Sequence, residues 1–470
     1  MKPNTDSLFG DPVESINDDG DKDGPLGSAD IPPHHDNPAY GLQWIRDDSS
    51  FSARPEWTLE PTVDAIILTL QKIVGPDKEY MVQHYWNGVY SKIYRVSYDE
   101  IRLVLKISLP VCPKSMTESE VATLQWIKEN THLPVPKVRH YDSSRDNPIG
   151  FEWILMDYID GIPLSQCWES ITQGSKERIV KQIAEYAAIS FTRQFRGIGN
   201  IYPSESHQSN IQPRVGEMAS MAMPFRTAFK WTKCRLRLIS AELRLRLDEV
   251  IDEDHRKTIS SMLNLVDRLR ELEDKFFIAP RPPNDSEQQV YEDESTDEED
   301  IEVIDNGNKP CEPTMLWHDD ISLDNILVDE NGILVGIIGW SCVSCLPLYE
   351  ACQLPAFLHQ TWDRPLEPLT PYSITRAHLD LNKEVWTYGI KLRQHHITLL
   401  RQVFIDEMMQ RCQEWVDVFY NQKHRRDYEA AVQNCDNEFA YKIVEEWVGA
   451  AEGRSDSDKP LWSLHVRLMG

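Results

Sequence analysis

The stretch from Met315 to Trp340, MLWHDDISLDNILVDENGILVGIIGW, constrains this chain more than any other. It reads as a short strand, a polar loop, a second strand, a turn at Asn331-Gly332, and a third strand ending in Gly339-Trp340. Inside the loop, His318, Asp320 and Asn325 stand at the spacing used for phosphoryl transfer to a hydroxyl. Asp320 would orient and deprotonate an acceptor hydroxyl. Asn325, five residues on, would hold a metal ion bound to nucleotide phosphates. His318 fits a bracing role by hydrogen bonding better than a chemical one. The plainer reading is a polar hairpin loop held by Asx turns. The flanking strands, Ile326-Leu327-Val328 and Leu334 to Ile338, favour the catalytic reading. Such sites take a second Asp after the next strand as their main metal ligand, and here Gly339 stands in that place.

Upstream, Lys106 lies in Leu103-Val104-Leu105-Lys106-Ile107, a strand with one charged inward position. A buried Lys needs a partner, and Glu120 is the candidate. Together they would position nucleotide phosphates. Asn87-Gly88-Val89-Tyr90-Ser91 sits between two strands, where a phosphate-covering loop belongs. With a single glycine, Gly88, a plain hairpin turn explains it equally well. Met156-Asp157-Tyr158-Ile159 is read as the hinge, with Asp157 and Tyr158 offering backbone groups to an adenine. Cys342-Val343-Ser344-Cys345 has no further ligands at zinc spacing, so its cysteines are read as incidental thiols.

The 470 residues can bury a large core. Net charge is -27, which argues against nonspecific binding to nucleic acid or anionic membranes. No apolar run is long enough to span a bilayer. Nine scattered cysteines do not form a disulfide framework. The expected compartment is the cytoplasm, with the nucleus open as a second.

The first 38 residues are rich in Asp, Gly, Pro and Ser and are expected to be disordered. Residues 39–158 read as a small β-rich lobe, with strands near Tyr80–Tyr85, Ser91–Val96, Ile101–Ile107 and Gly150–Tyr158. A helix is expected over Thr62–Val74 and another over Thr117–Asn130. Residues 159–470 read as a mostly helical lobe holding the catalytic stretch 316–340. Within it Ile179, Val180, Ile183, Ala187 and Phe191 form a helical stripe. Residues 226–277 carry long mixed-charge helical patterns, interrupted near Glu253-Asp254. Helix is expected again over Leu379–Trp447, with Trp386, Ile390, Leu399, Leu400, Phe404, Trp415 and Phe419 as core. Residues 284–308 contain no Lys or Arg and are read as a disordered acidic insertion. That insertion is a candidate for binding a protein partner, and its Ser295 and Thr296 are candidates for phosphorylation.

With these pieces assembled, the chain resembles the aminoglycoside phosphotransferase family, in particular its fungal members. Its fold is shared with choline kinases and protein kinases. The likeness runs from about Trp57 to Leu358. It is carried by Glu118–Leu124, Leu133-Pro134-Val135-Pro136-Lys137-Val138, Gly161-Ile162-Pro163-Leu164, the loop His318–Val328, and the segment Leu346–Pro355. The resemblance implies a bilobal α+β fold with ATP between the lobes and a small-molecule hydroxyl acceptor on the helical lobe. It implies phosphate contacts for Lys106, a bracing role for Glu120, the base role for Asp320, and Mg2+ ligation by Asn325. Family members usually read Ile-Asp-Trp-Glu where this chain has Ile338-Gly339-Trp340-Ser341. Both acids are missing, so the main Mg2+ ligand is not carried over. Two functions follow: an ATP-dependent small-molecule kinase with a weakened metal site, or a pseudokinase serving as a nucleotide- or protein-binding module.

Overall fold

The computed structural model describes residues 40–46, 53–203, 214–215, 218, 224–277, 311–359, 381–453 and 463–468. The expectations for residues 1–38 and 284–308, and for Ser295 and Thr296, lie outside these residues.

The chain opens with a hairpin, β1 (Leu42–Arg46) and β2 (Ala53–Trp57), and the helix α1 (Val63–Ile73). Thr62 caps α1 by accepting the Ala65 N–H at 3.3 Å. Then come β3 (Met81–Asn87), β4 (Ser91–Tyr98), β5 (Ile101–Ser108), α2 (Ser115–Asn130), β6 (Val138–Asp142) and β7 (Glu152–Asp157). These strands form one antiparallel sheet in the order β3-β4-β5-β7-β6. The β-branched and aromatic runs of the sequence match these strands to within a residue or two.

Alternation gives this sheet two different faces. One carries Tyr94, Val96, Leu103, Leu105, Ile107, Trp153 and Leu155, which close a core with Ile66 and Leu70 of α1. The other carries the rows Ile93–Lys106–Ile154 and Arg95–Val104–Met156, read from the register. Ile154 and Met156 of that face join the main core of the following region.

That region begins with β8 (Ile162–Pro163), α3 (Leu164–Cys167), α4 (Gln173–Thr192), β9 (Phe195–Arg196), β10 (Gly199–Tyr202) and β11 (Arg214–Val215). The helical stripe of α4 is buried as the spacing requires. Next is a helical hairpin, α5 (Ala228–Glu249) and α6 (Glu253–Phe276). The break falls where expected, because Asp252 caps α6 by accepting the N–H groups of Asp254 and His255 at 3.1 and 2.9 Å. Then follow β12 (Pro313–Trp317), β13 (Ile326–Val328), β14 (Leu334–Ile337), β15 (Ser344–Pro347) and α7 (Leu348–Ala351). The chain continues through α8 (Leu381–Arg411), α9 (Gln413–Asn421), α10 (Lys423–Asn434), α11 (Tyr441–Ala451) and α12 (Leu464–Leu468).

Three details differ from the sequence reading. The segment Ile159–Pro163 is more than a turn, since Ile162-Pro163 pairs with β13. Gly161 permits this, because a Cβ there would lie 2.6 Å from Val335 Cγ2. The third strand of the catalytic stretch stops at Ile337, because Gly339 turns the chain into the left-handed region at φ +85°. In α8, Leu400 and Phe404 are buried as expected, but Ile390 is exposed. The side chain of Trp386 lies outside the described residues.

Candidate active site

Lys106 points from β5 to the side of the sheet shared with the main core. It is flanked in register by Ile93 and Ile154. Its Nζ forms an ion pair and hydrogen bond with Glu120 Oε2 of α2. Both are almost fully buried, at 6% and 4% exposure. Alternation on the strand and the packing of α2 leave this ammonium little contact with bulk water, so the pairing follows from the cost of burying either charge alone. The structure adds a third member. Ser341 Oγ accepts from Lys106 Nζ and donates to Glu120 Oε2 at 3.2 Å. Sequence reasoning treated Ser341 only as a lost acid. The available signal was a hydroxyl standing at the very position where family members carry a carboxylate.

The loop between β12 and β13 is held from beneath by His318, which is 1% exposed. The Asp320 N–H reaches His318 Nδ1 at 3.2 Å, so Nδ1 must carry the lone pair. Nε2 therefore carries the hydrogen and donates it to the Ile338 carbonyl at 3.1 Å. The ring stands edge-on to Trp340 at 4.5 Å. Burial holds the His318 pKa below the ordinary histidine value, which keeps the ring neutral. Both nitrogens are thus engaged in holding the loop to the strand that precedes Gly339.

Asp320 is exposed at the loop's surface. Asn325 Nδ2 donates to Asp320 Oδ2 at 2.7 Å and to the Asp320 carbonyl at 2.9 Å. That fixes one carboxylate oxygen, Oδ2, toward Asn325. The carbonyl of Asn325 accepts the Ile338 N–H at 3.0 Å, which brings the loop end beside Gly339. A Cβ at Gly339 would lie 2.9 to 3.1 Å from the Asn325 amide atoms. Residues 338–341 therefore join the two groups: Lys106 and Glu120 meet this segment at Ser341, and His318 and Asn325, with Asp320, meet it at Ile338 and Gly339.

The hinge residues are placed differently. Asp157 donates its N–H to the Lys137 carbonyl at 2.9 Å, and Tyr158 donates to the Arg102 carbonyl at 3.2 Å. The Asp157 carboxylate pairs with Arg139, and Arg95 and Arg102 flank the Tyr158 ring. Gly88 sits in a tight hairpin, its N–H donating to the Ser91 carbonyl at 2.8 Å. Cys342 and Cys345 are free thiols. Cys342 is solvent-exposed, and desolvation by the protein around it raises its thiol above the ordinary value against the opposing pull of Lys106.

A magnesium ion fits these residues poorly. The donor set is one carboxylate, Asp320, and one amide, Asn325, which already donates to that carboxylate. Gly339 offers no side chain. Among the described residues no group of three or more His, Cys, Asp or Glu could hold a metal.

Comparison with known proteins decides the family. The phosphotransferase enzyme family matches residues 82–367 of the chain. The chain belongs to this family. Its fold is accordingly the bilobal kinase-like one of phosphotransferase enzymes, with the antiparallel sheet toward the N-terminus and the helices toward the C-terminus. Among curated relatives, it is 26% identical over 340 residues to a subtelomeric hrmA-associated cluster protein of Aspergillus fumigatus, a match spanning 63% of this chain and 65% of that one. It is 26% identical over 143 residues to the altered inheritance of mitochondria protein 9, mitochondrial, of Meyerozyma guilliermondii, spanning 28% of this chain and 24% of that one. The chain thus spans less than two thirds of the length of these relatives. Among solved structures, a thermostable mutant of aminoglycoside phosphotransferase APH(4)-Ia with ADP and hygromycin B aligns over 84% of this phosphotransferase-family chain and 100% of its own, with TM-score 0.41 and 13% identity. A protein from Ralstonia eutropha described as an aminoglycoside phosphotransferase aligns over 87% and 98%, with TM-score 0.39 and 11% identity. Among the described residues, no helix is long and apolar enough to cross a membrane.

Proposed function

We propose that this protein is an ATP-dependent phosphotransferase that transfers the γ-phosphate to a hydroxyl of a small molecule, with a weakened metal site. The observation that carries the reading is the buried Lys106–Glu120 pair, joined through Ser341 to the segment beside the Asp320 loop. A buried, paired ammonium at the face of a sheet holds a fixed positive charge for phosphate oxygens. Asp320 belongs to the loop that residues 338–341 link to this pair, and it is exposed and oriented by Asn325. Its free oxygen can accept the proton of an acceptor hydroxyl as the bond to phosphorus forms. His318, neutral and doubly engaged, keeps the loop in that position. With the N–H groups of Asp157 and Tyr158 already used, base recognition falls to their carbonyls and to residues 159–161.

The residues do not supply a two-carboxylate clamp for magnesium. A deficit on the order of 3–5 kcal/mol in transition-state stabilisation corresponds to roughly two to four orders of magnitude in rate. The same observation supports the second reading, a pseudokinase that binds nucleotide or a protein without turnover. The acceptor is not named by the family, because this fold hosts many acceptors.

The deciding experiment measures ADP release with candidate alcohol acceptors, and ATP affinity with and without magnesium. The enzyme reading expects slow turnover that Asp320→Asn abolishes. Nucleotide binding with no turnover in wild type, unaltered by Asp320→Asn, would leave the pseudokinase.

A further inference from the structure

Three lysines are buried among the described residues, and two of them have acids. Lys92 pairs with Glu60, and Lys106 pairs with Glu120. The third is Lys176, in the opening turn of α4, at 5% exposure. Its Nζ lies 4.5 Å from the centre of the Trp168 ring. Among the described residues it donates no hydrogen bond and has no carboxylate within ion-pair distance. A ring face attracts an ammonium, but it does not replace the oxygen acceptors that three N–H donors find in water.

The surroundings add positive charge. The first turn of a helix carries a partial positive charge of its own. Burial holds the Lys176 pKa below the ordinary lysine value, Glu169 pulls it back up, and Arg393 of α8 pushes it down again. Lys176 and His395 in turn disfavour a proton on His396. The acid that acts on both Lys176 and His396 is Glu169, which is exposed and lies 3.9 Å from Arg393. One surface carboxylate is thus shared among three basic groups. A buried ammonium without a close counter-charge is costly. At Lys92 and Lys106 the chain supplies that counter-charge, and at Lys176 it does not.

The position of Lys176 links it to the Asp320 loop. Trp168 stands edge-on to Phe357 at 6.2 Å. Phe357 donates its N–H at 3.1 Å to the carbonyl of Ile321, the residue after Asp320. From α3, just before Trp168, Ser165 donates its N–H to the Leu323 carbonyl at 3.0 Å and its hydroxyl to Asp324.

We propose that Lys176, with Arg393 and His396, binds a small free oxyanion such as inorganic phosphate. The oxyanion supplies acceptors for the ammonium and for the planar fork of Arg393 together. Relief of the unmatched buried charge favours binding. The bound ion then rests on α4 and α8, behind the Trp168 and Phe357 rings that support the Asp320 loop. This site stands whether or not Asp320 takes part in phosphoryl transfer.

The test is equilibrium dialysis of the full chain against radiolabelled inorganic phosphate in a constant chloride background. Wild type should show saturable binding. Lys176→Met should weaken it by roughly ten- to hundredfold, and Arg393→Gln by a smaller factor. Lys106→Met/Glu120→Leu should retain it. Thermal unfolding gives an independent reading. Without phosphate, Lys176→Met should melt above wild type, because the unmatched charge is gone. Added phosphate should raise the melting temperature of wild type and leave that of Lys176→Met unchanged. Circular dichroism checks the fold of each variant, and Arg393→Gln, at an exposed position, serves if Lys176→Met folds poorly. Absence of phosphate binding in wild type overturns the proposal, as does binding that neither Lys176→Met nor Arg393→Gln weakens. Binding abolished by Lys106→Met/Glu120→Leu overturns it by placing the phosphate beside Lys106. A folded Lys176→Met that melts below wild type without phosphate also overturns it, since the Trp168 ring would then satisfy the ammonium by itself.

Discussion

The two ends of residues 338–341 contrast sharply. On one, a buried Lys106 and Glu120 and a half-buried Ser341 form a set in which each side chain has a partner. On the other, an exposed Asp320 and a half-buried Asn325 are hydrogen-bonded to each other beside a glycine. A buried ion pair cannot lose one member without a large penalty, so the fold itself enforces the first side. Nothing comparable enforces the second, because an exposed carboxylate or its replacement is hydrated either way. On the proposed function, the side assigned to phosphate charge is thus tied to stability, whereas the side assigned to metal and acceptor is free to change without unfolding the chain.

The sharpest way to break this contrast is Lys106→Met. It leaves Glu120 buried and uncompensated, and folding stability should fall by about 3–5 kcal/mol in urea titration. ATP affinity should be lost in any protein that remains folded. Lys106→Met with Glu120→Leu should regain most of the stability and none of the affinity. A single variant as stable as wild type would mean that water reaches the pair. The mirror experiment is Asp320→Asn. It should lower any measured turnover by roughly two to four orders of magnitude, while stability stays within about 0.5 kcal/mol of wild type. A large stability loss there would erase the distinction between the two sides.

Much of this could be read before the fold was seen, and for definite reasons. Alternation in Leu103–Ile107 set Lys106 inward, and a lysine set inward needs an acid, so Glu120 could be named. The spacing of His318, Asp320 and Asn325 follows the chain along one loop, and short-range geometry is what a sequence encodes most directly. The engagement of the Tyr158 N–H by Arg102 was not legible, because it depends on strand register across distant residues. Ser341 was missed for the same reason: its partners lie 235 and 221 residues away in the chain. Gly339 was noticed as a missing acid. Its left-handed backbone, and the Asn325 amide filling the space beside it, were not in the letters.

That backbone changes what restoring the acid would do. Any side chain at Gly339 must adopt φ near +85° and push the Asn325 amide aside. Gly339→Ala and Gly339→Asp should each lose about 1–2 kcal/mol of stability. Asp tolerates the left-handed region better than most residues, so its loss should be the smaller. Only Gly339→Asp should gain magnesium-dependent ATP affinity, measured by calorimetry. If Gly339→Ala gains it equally, the change comes from freeing Asn325 and not from the carboxylate.

The smallest expected effect belongs to Ser341, and it distinguishes support from competition. Ser341 Oγ occupies one of the three donor directions of Lys106, and Glu120 occupies another. Removing the hydroxyl in Ser341→Ala forfeits a hydrogen bond to a charged group in a partly buried site, so stability should fall by about 1 kcal/mol. The same change frees a direction that a phosphate oxygen can use. ATP affinity should therefore rise by a factor of roughly two to five, equivalent to about 0.5–1 kcal/mol. Stability and affinity should move in opposite directions, which urea titration and calorimetry on the same preparation can read. A parallel fall in both would assign Ser341 to the closed side as a support for Lys106. The predicted opposition would make it the point at which the closed side gives way to a ligand.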